Sequence, residues 1–386
     1  MKVAFIHDHV FVEKNNQVYT TGGLPASVWD LYINDINQIK VFGRLGNRST
    51  NILSSHKNVD FTFSKYYNHP IDHFLRGKKI NKEIEGFLFL CDAAIIRLPS
   101  ILGLRAIKIC RKKNIPYAVE VVGNVYDALY NYGKIQGKLI ANYFHKKNKK
   151  AILQAPYVIY VTKSYLQKNY PCSSYTACAS DVQIEISEES LEKRLHKIND
   201  KQEDKIICLT IGNVNVKYKG YSTVLKAMKY LKNKFGIENI HYHIVGAGNF
   251  DEIEKEVKEF NLEVKVLHIG RKNREEIFKL LGEVDIYIHP SYLEGLPRSV
   301  IEAMSRACPC LTSNVGGIPE LISEEFMHNP RDYKKLALDL KKMIESKEWQ
   351  IKSAKQNFNK AKEYEKEKLL QIKTEFWQTF FNSIKL

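Results

Sequence analysis

The densest chemistry in the chain lies between Ser291 and Glu302, where Glu294, Gly295, Leu296, Pro297 and Glu302 follow one another closely. A strand expected to end at His289 turns through this loop, and Pro297 starts a helix, a position where a missing N–H goes unnoticed. The unpaired N–H groups of such a helix start, at the positive end of its dipole, suit an anion. Gly295 lets a phosphate come close. Two carboxylates beside a phosphate would repel it, so Glu294 and Glu302 are expected to accept hydrogen bonds from sugar hydroxyls. Spacing alone leaves open that Glu302 is a surface helix residue and Glu294 a turn residue. Other constellations have weaker claims. Gly246 and Gly248 lack the third glycine of a dinucleotide fingerprint, and His241 and His243 share a strand face with no second pair of metal ligands. No Asp-x-Asp occurs anywhere in the chain, which argues against a metal clamp on a diphosphate. Neither a metal nor another cofactor is expected.

The elements that must position these residues alternate strand and helix. Apolar strand-like runs fall at 3–6, 40–42, 93–96, 117–122 and 158–161, separated by helix-length segments. After a polar stretch at 185–204 the alternation resumes, with strands at 206–211, 241–245, 264–269, 286–289 and 310–312. Helices are expected at 222–234, 252–260, 274–281 and 297–307, then at 333–345 and 349–384. Interleaved strands and helices imply α/β architecture with parallel sheets covered on both faces. At 386 residues the chain exceeds one ordinary domain. The expected division is an N-terminal domain at 1–184 joined by a C-terminal helix at about 365–386, a linker at 185–204, and a second domain at 205–364.

Charge points to the partner class. Against 59 Lys+Arg stand 43 Asp+Glu, a formal +16, and such a field favours nucleic acid, phospholipid headgroups or phosphorylated substrates. A lysine-rich composition is the plainer explanation of the same number. The seven cysteines are scattered without zinc or redox spacing. The longest apolar stretch, 86–104, carries Asp92 and Arg97 in its middle, so no membrane span is expected. The N-terminus shows no secretory signal. A cytoplasmic protein is the expectation.

Taken in order, these residues form a pattern. Glu294-x7-Glu302 followed by Val315-Gly316-Gly317-Ile318-Pro319-Glu320 resembles the signature of retaining GT-B glycosyltransferases of family 4. Gly212, Lys219-Gly220-Tyr221 and Ala227 resemble that family's phosphate-lysine segment, and Ile244-Val245-Gly246-Ala247-Gly248 its glycine-rich strand end. His268-Ile269-Gly270 and the run from Asp285 to Ser291 also match. The resemblance is strong from about Ile206 to Ile322 and weaker before it, where Gly22-Gly23 and Ile96-Arg97-Leu98-Pro99 fit.

The resemblance implies two doubly wound Rossmann-like domains facing a central cleft, with the C-terminal helix packing back on the N-terminal domain. It implies a transferase acting on a nucleotide-sugar donor, with Lys219 and Glu294 as catalytic residues. Lys219 would meet the donor diphosphate, Glu302 the ribose hydroxyls, and Glu294 the transferred sugar. Gly22, Gly23, Lys217, Gly246, Gly248, Gly270, Arg271, Gly295 and Leu296 complete the implied donor set. Two positions depart from the family. Asn213 stands where arginine is usual, with Lys217 the nearest cation to replace it. The strand 119–122 carries no histidine before Gly123, which leaves Asn124 and Asp127 as candidates for the acceptor side.

The segment 126–150 reads as a basic helix, with Ile135, Leu139, Ile140, Tyr143 and Phe144 on one side and Lys134, Lys138, His145 and Lys149 on another. It suits an anionic membrane surface, though a core helix with a solvated lysine face fits slightly better. Arg76, Lys78, Lys79 and Lys82 form a second basic cluster. The reading adopted is sugar transfer to a glycan or lipid-linked glycan in cell-surface polysaccharide synthesis, with peripheral membrane contact and no nucleic acid as partner. A sugar-nucleotide epimerase of the same architecture and a basic nucleic-acid-binding protein are the rivals.

Overall fold

The computed structural model describes residues 1–33, 36–47, 50–69, 71–126, 135–202 and 204–385. Two units form: Met1–Ala179 with Leu369–Leu386, and Ser180–Lys368.

The first unit is built on a parallel sheet whose strands run β5 (Val59–Phe63), β3 (Gln38–Leu45), β1 (Lys2–Lys14), β6 (Ala93–Leu98), β7 (Tyr117–Val121), β8 (Tyr157–Tyr160) and β9 (Tyr175–Cys178). Val3–Ile6 and Ala93–Ile96 pair in register at its centre and are fully buried, as continuous apolar runs in a sheet covered on both faces must be. The apolar run expected as a strand stops at Ile6, but the strand does not. Instead β1 bulges across 7–9 and continues to Lys14, pairing antiparallel with β2 (Gln17–Thr20), which pairs with β4 (Ile52–Leu53). Asn15 and Asn16, both at positive φ, make the tight turn between them, and asparagine tolerates that conformation well.

The helix Ile135–Leu153 also differs from expectation. Ala141, Phe144, Asn148 and Ile152 are buried, whereas Ile140 and Tyr143 are 43% and 45% exposed. The apolar side drawn from sequence is thus split, and part of it faces water. Lys134 and the side chains of Ile135, Lys138 and Leu139 lie outside the described residues.

The second unit carries a 6-stranded sheet in the order β12 (Val266–Gly270), β11 (Ile240–Val245), β10 (Ile206–Ile211), β13 (Ile286–His289), β14 (Cys310–Ser313), β15 (Met327–His328) among the described residues. All its pairings are parallel. The stretch read as a linker contains the helix Glu188–Asp200, and this helix belongs to the second unit. Arg194 explains why: its buried guanidinium donates to the carbonyls of Leu281, Val284 and Arg306. A side chain surrounded by polar residues in the sequence is here a packed anchor.

The long C-terminal helix expected at 349–384 is broken. The helix Lys347–Ala361 ends in a short 3-10 turn, Glu365 is extended, and the amide of Lys366 donates to the Ile184 carbonyl before the helix Lys366–Lys385 begins. That last helix returns to the first unit through aromatic packing. Trp377 is fully buried and meets Tyr32 edge-on at 5.1 Å, while Phe376 stacks on Tyr175 and Phe380 tilts against Tyr157. Trp377→Ala is expected to destabilise the first unit by about 3–5 kcal/mol, the cost of emptying a large aromatic site. The check is a lowered thermal or denaturant midpoint for that unit.

Candidate functional site

Parallel strands present their carboxyl ends on one side, and a doubly wound sheet opens a crevice where the strand order reverses. In the second unit the reversal falls at β10, between β11 and β13. The segments leaving these three strands carry most of the predicted chemistry: Gly212 to Lys219, Gly246 to Gly248, and Pro290 to Glu294.

Glu294 is the electrostatic centre. Its Oε1 accepts from Lys219 Nζ at 2.7 Å and from His289 Nε2 at 2.9 Å, with Glu294 and Lys219 side chains only 11% and 18% exposed. Burial alone would raise its pKa, but His289 and Lys219 outweigh burial and hold the carboxyl at about 2. Full burial in turn lowers the His289 pKa, while Glu294 pulls it partly back up. His289 donates from Nε2 to the Glu294 carboxylate, and its Nδ1 lies 3.2 Å from the Tyr287 hydroxyl. One of the three ammonium donors of Lys219 is taken by Glu294; the other two can serve an oxyanion.

Two glycines bring these loops together. Gly220, at φ 76°, lies so close to the next segment that a Cβ would come within 2.1 Å of the Pro290 carbonyl oxygen. Gly316, at φ 58°, would place a Cβ 2.0 Å from the Glu294 carbonyl oxygen. Any side chain at either position would push the Glu294 loop away. Backbone bonds fix the same contacts, with Tyr292 N donating to Tyr218 O at 2.6 Å and Gly317 N to Gly295 O at 2.7 Å.

Glu302 lies on the helix Arg298–Ser305, whose neighbours Val300, Ile301, Ala303 and Met304 are buried. Its carboxylate has no hydrogen bond or ion pair among the described residues. Burial raises its pKa, and Arg298 and Arg274 pull it partly back. Tyr287 has its own pKa raised first by burial and then by Cys310, Glu302 and Glu294, so the two carboxylates share one neighbourhood. The amides of Arg298 and Ser299 fall in the first turn, where a helix offers them no carbonyl.

The remaining predicted residues are distributed unevenly. Gly246 N donates to the Gly270 carbonyl at 2.9 Å, and Gly246 O accepts from His268 Nε2 at 2.9 Å, so β11 and β12 end side by side. Gly248 and Arg271 are exposed. Lys217, the proposed substitute for arginine at Asn213, is 80% exposed and pairs with Glu252 at 3.0 Å. It is not drawn toward Glu294.

In the first unit the order reverses at β1, between β3 and β6. The bulge of β1 holds His7, Asp8 and His9, whose chemistry the sequence reading missed. Asp8 accepts from Ser100 Oγ and from the amides of Ile101 and Leu102, fixing the start of the helix Ile101–Lys113. His9 Nε2 bonds Thr20 Oγ1 at 2.6 Å, and its ring stands against Gly23, beside Gly22, whose amide donates to the same Thr20 oxygen. His7 is pushed down to about 3, by burial first and then by Arg97 and His9. The signal that could have found this cluster is the His-x-His alternation directly after the buried run Val3–Ile6. Asn124 is buried and internally engaged, donating to Tyr165 Oη and accepting from Tyr170 Oη and the Tyr126 amide. Asp127 lies outside the described residues.

Comparison with known proteins identifies this arrangement. The sequence profile of the family described as Glycosyl transferases group 1 matches residues 192–364. Protein CapJ of Staphylococcus aureus is 31% identical over 362 residues, covering 92% of this chain and 90% of CapJ. The UDP-Gal:alpha-D-GlcNAc-diphosphoundecaprenol alpha-1,3-galactosyltransferase of Escherichia coli is 32% identical over 106 residues, 26% of each chain. Among solved structures, sucrose-phosphate synthase from Thermosynechococcus elongatus superposes with a TM-score of 0.71 at 16% identity, over 99% of both chains. That last likeness is one of fold, and the fold is GT-B.

The Glu294 geometry makes a pH-dependent prediction. An acid held below its ordinary value of 4.5 contributes stability that is complete above that value and lost as pH falls toward the folded pKa. Glu294→Gln is therefore expected to cost about 2–4 kcal/mol at neutral pH. The difference from wild type should shrink as pH falls from about 5 toward about 2. Denaturant titrations of both proteins at neutral and acidic pH check this; a difference that does not change with pH is the contrary result.

Proposed function

This chain belongs to the glycosyl transferases group 1 family and is a nucleotide-sugar-dependent glycosyltransferase; we propose that it acts in the assembly of a cell-surface polysaccharide. Its acceptor in this reading is a lipid-linked glycan at a membrane surface. The observation that carries the proposal is the Lys219 ammonium held against buried Glu294 at the strand-order reversal, with the uncommitted carboxylate of Glu302 nearby. A nucleoside diphosphate sugar has the matching parts: phosphates for Lys219 and for the amides of Gly295, Leu296 and the Arg298 helix start, and ribose hydroxyls for Glu302. Gly246, Gly248, Gly270 and Arg271 border the same strand ends. The name of the E. coli relative, with a UDP-galactose donor and a diphosphoundecaprenol-linked acceptor, supports the substrate classes. The likeness to CapJ extends along almost the whole chain.

The reaction proposed is front-side displacement with retention. The bond from the anomeric carbon to the diphosphate oxygen breaks, and the departing oxygen takes the proton of the acceptor hydroxyl. The acceptor oxygen then bonds the anomeric carbon on the same face. Negative charge grows on the diphosphate, and Lys219 with the first-turn amides stabilises it without reorganising. Glu294 fixes Lys219 in place and stands near the transferred sugar. His289, fully buried, aligns Glu294. Of the first unit's residues, Gly22 and Gly23 belong to the donor set of this proposal and Asn124 to the acceptor side.

Incubating the protein with a panel of UDP-, GDP- and TDP-sugars and a lipid-linked acceptor extract tests the reading. One donor should yield a larger lipid-linked product; nucleotide release without product would overturn sugar transfer. Glu302→Ala should weaken binding of the matching nucleoside diphosphate by about 1–3 kcal/mol, from lost charge-assisted bonds to ribose, as read by calorimetric titration. The chain has no Asp-x-Asp, and the proposed charge stabilisation is carried by Lys219 and the helix start. Turnover should therefore survive excess chelator. Loss of turnover that Mg²⁺ or Mn²⁺ restores would refute that part.

A further inference from the structure

The first unit exposes a set of large apolar side chains that its own packing does not use. Ile71, Phe74 and Leu75 are 61%, 63% and 74% exposed, within and beside the short helix Asp72–Leu75. Soluble surfaces scatter such residues singly; three within five positions form a patch that calls for a partner. The patch is held rigidly. Arg105 donates to the carbonyls of His73 and Gly77 and to Asn81 Oδ1, pinning the short helix to the start of the helix Gly77–Leu88. On its inner side the His73 ring meets Phe144 at 5.8 Å, and Phe144 meets Tyr143 at 5.3 Å. The patch thus adjoins the helix Ile135–Leu153, where Tyr143 is 45% exposed with Lys147 over its ring.

The charge around it is one-sided. Arg76, Lys78, Lys79 and Lys82 are exposed on the next helix, and Lys146, Lys147, Lys149 and Lys150 on the adjoining one. The acidic groups in between are already engaged. Asp72 accepts from the Asn68 and His69 amides and lies 3.7 Å from Arg76. Glu83 accepts from Ser64 Oγ and the Lys65 amide, and Glu85 pairs with Lys113 at 2.6 Å. No helix among the described residues is long and apolar enough to cross a membrane, so contact with lipid would have to be made from the surface.

We propose that Ile71, Phe74 and Leu75, with Tyr143 beside them, form an apolar wedge that enters the headgroup–acyl boundary of an anionic membrane. The flanking lysines and Arg76 engage the lipid phosphates around it. Apolar insertion and charge attraction contribute separately to such binding. The first is insensitive to salt, whereas the second decays within a Debye length. The wedge rests on the reading of a lipid-linked acceptor, because it would hold the first unit at the surface where that acceptor resides.

The test uses the full chain with vesicles of phosphatidylcholine, alone or mixed with phosphatidylglycerol, at low and high salt. Wild type should sediment with the mixed vesicles and retain part of that binding at high salt. Phe74→Ser with Leu75→Ser should lower the partition coefficient at least about tenfold and abolish the salt-resistant part. Lys146→Gln with Lys147→Gln should lower only the salt-sensitive part. In Phe74→Trp, emission should shift to the blue on vesicle binding and be quenched by brominated acyl chains. Equal binding by the serine variant, or unmoved emission in the tryptophan variant, overturns the wedge. So does concentration-dependent self-association that the serine changes abolish, since a second copy would then cover the patch. Sugar transfer to a detergent-dispersed acceptor should be unaffected by the serine changes. Failure of that assay in wild type would strike the transferase reading and leave the vesicle result standing.

Discussion

A carboxylate buried as an anion must be paired, and the second unit is organised around one. Glu294 sits at the end of β13 with Lys219 and His289 on the same oxygen, and each partner arrives from a segment fixed by other constraints. Lys219 ends a turn whose next residue is Gly220, and that glycine fits only because no side chain intervenes before Pro290. His289 is the last residue of a fully buried strand. Without Glu294, two donors would converge on an empty point; without them, the acid would be uncompensated in a poorly solvated place. The ion pair and the tight loop packing therefore require each other, and together they present a cation at the carboxyl edge of the sheet.

The first unit solves a related problem with different residues. Its central strand β1 also lies at a reversal of strand order, and after the buried run Val3–Ile6 it bulges through His7, Asp8 and His9. Asp8 binds the amides that begin the helix Ile101–Lys113, so one acid joins strand and helix. Next to it, Tyr32 donates to Glu120 Oε1 at 2.6 Å, and Arg97 lies 3.3 Å from the other oxygen of Glu120. Polar groups collect at the strand ends because the sheet interior has no room for them. The same arrangement makes these ends the natural place to bind a polar ligand.

Much of this was readable from residue order. Alternating apolar runs gave the two doubly wound sheets, because a strand buried on both faces leaves an unmistakable stretch such as Val3–Ile6 or Ile286–His289. The ordered set from Gly212 to Glu320 named Lys219, Glu294 and Glu302 before any contact was known. What the pattern did not reveal were elements whose partners are distant in sequence. The helix Glu188–Asp200 reads as polar linker because its anchor, Arg194, satisfies carbonyls about ninety residues away. The hairpin after Ile6 reads as loop because its pairing strand is short and its turn is Asn15-Asn16.

By itself the sequence determined the fold class and the crowding of polar groups into the loop from Ser291 to Glu302, since period, spacing and residue type are local quantities. The tertiary structure alone decided that His289 shares Glu294 with Lys219, because hydrogen bonding and burial depend on which chain segments meet. It also decided that Lys217 turns to Glu252, that Asn124 is consumed internally, and that Phe144 faces inward while Tyr143 and Phe74 face water. A helical period fixes which residues share a face. Only the neighbouring elements determine which face is covered.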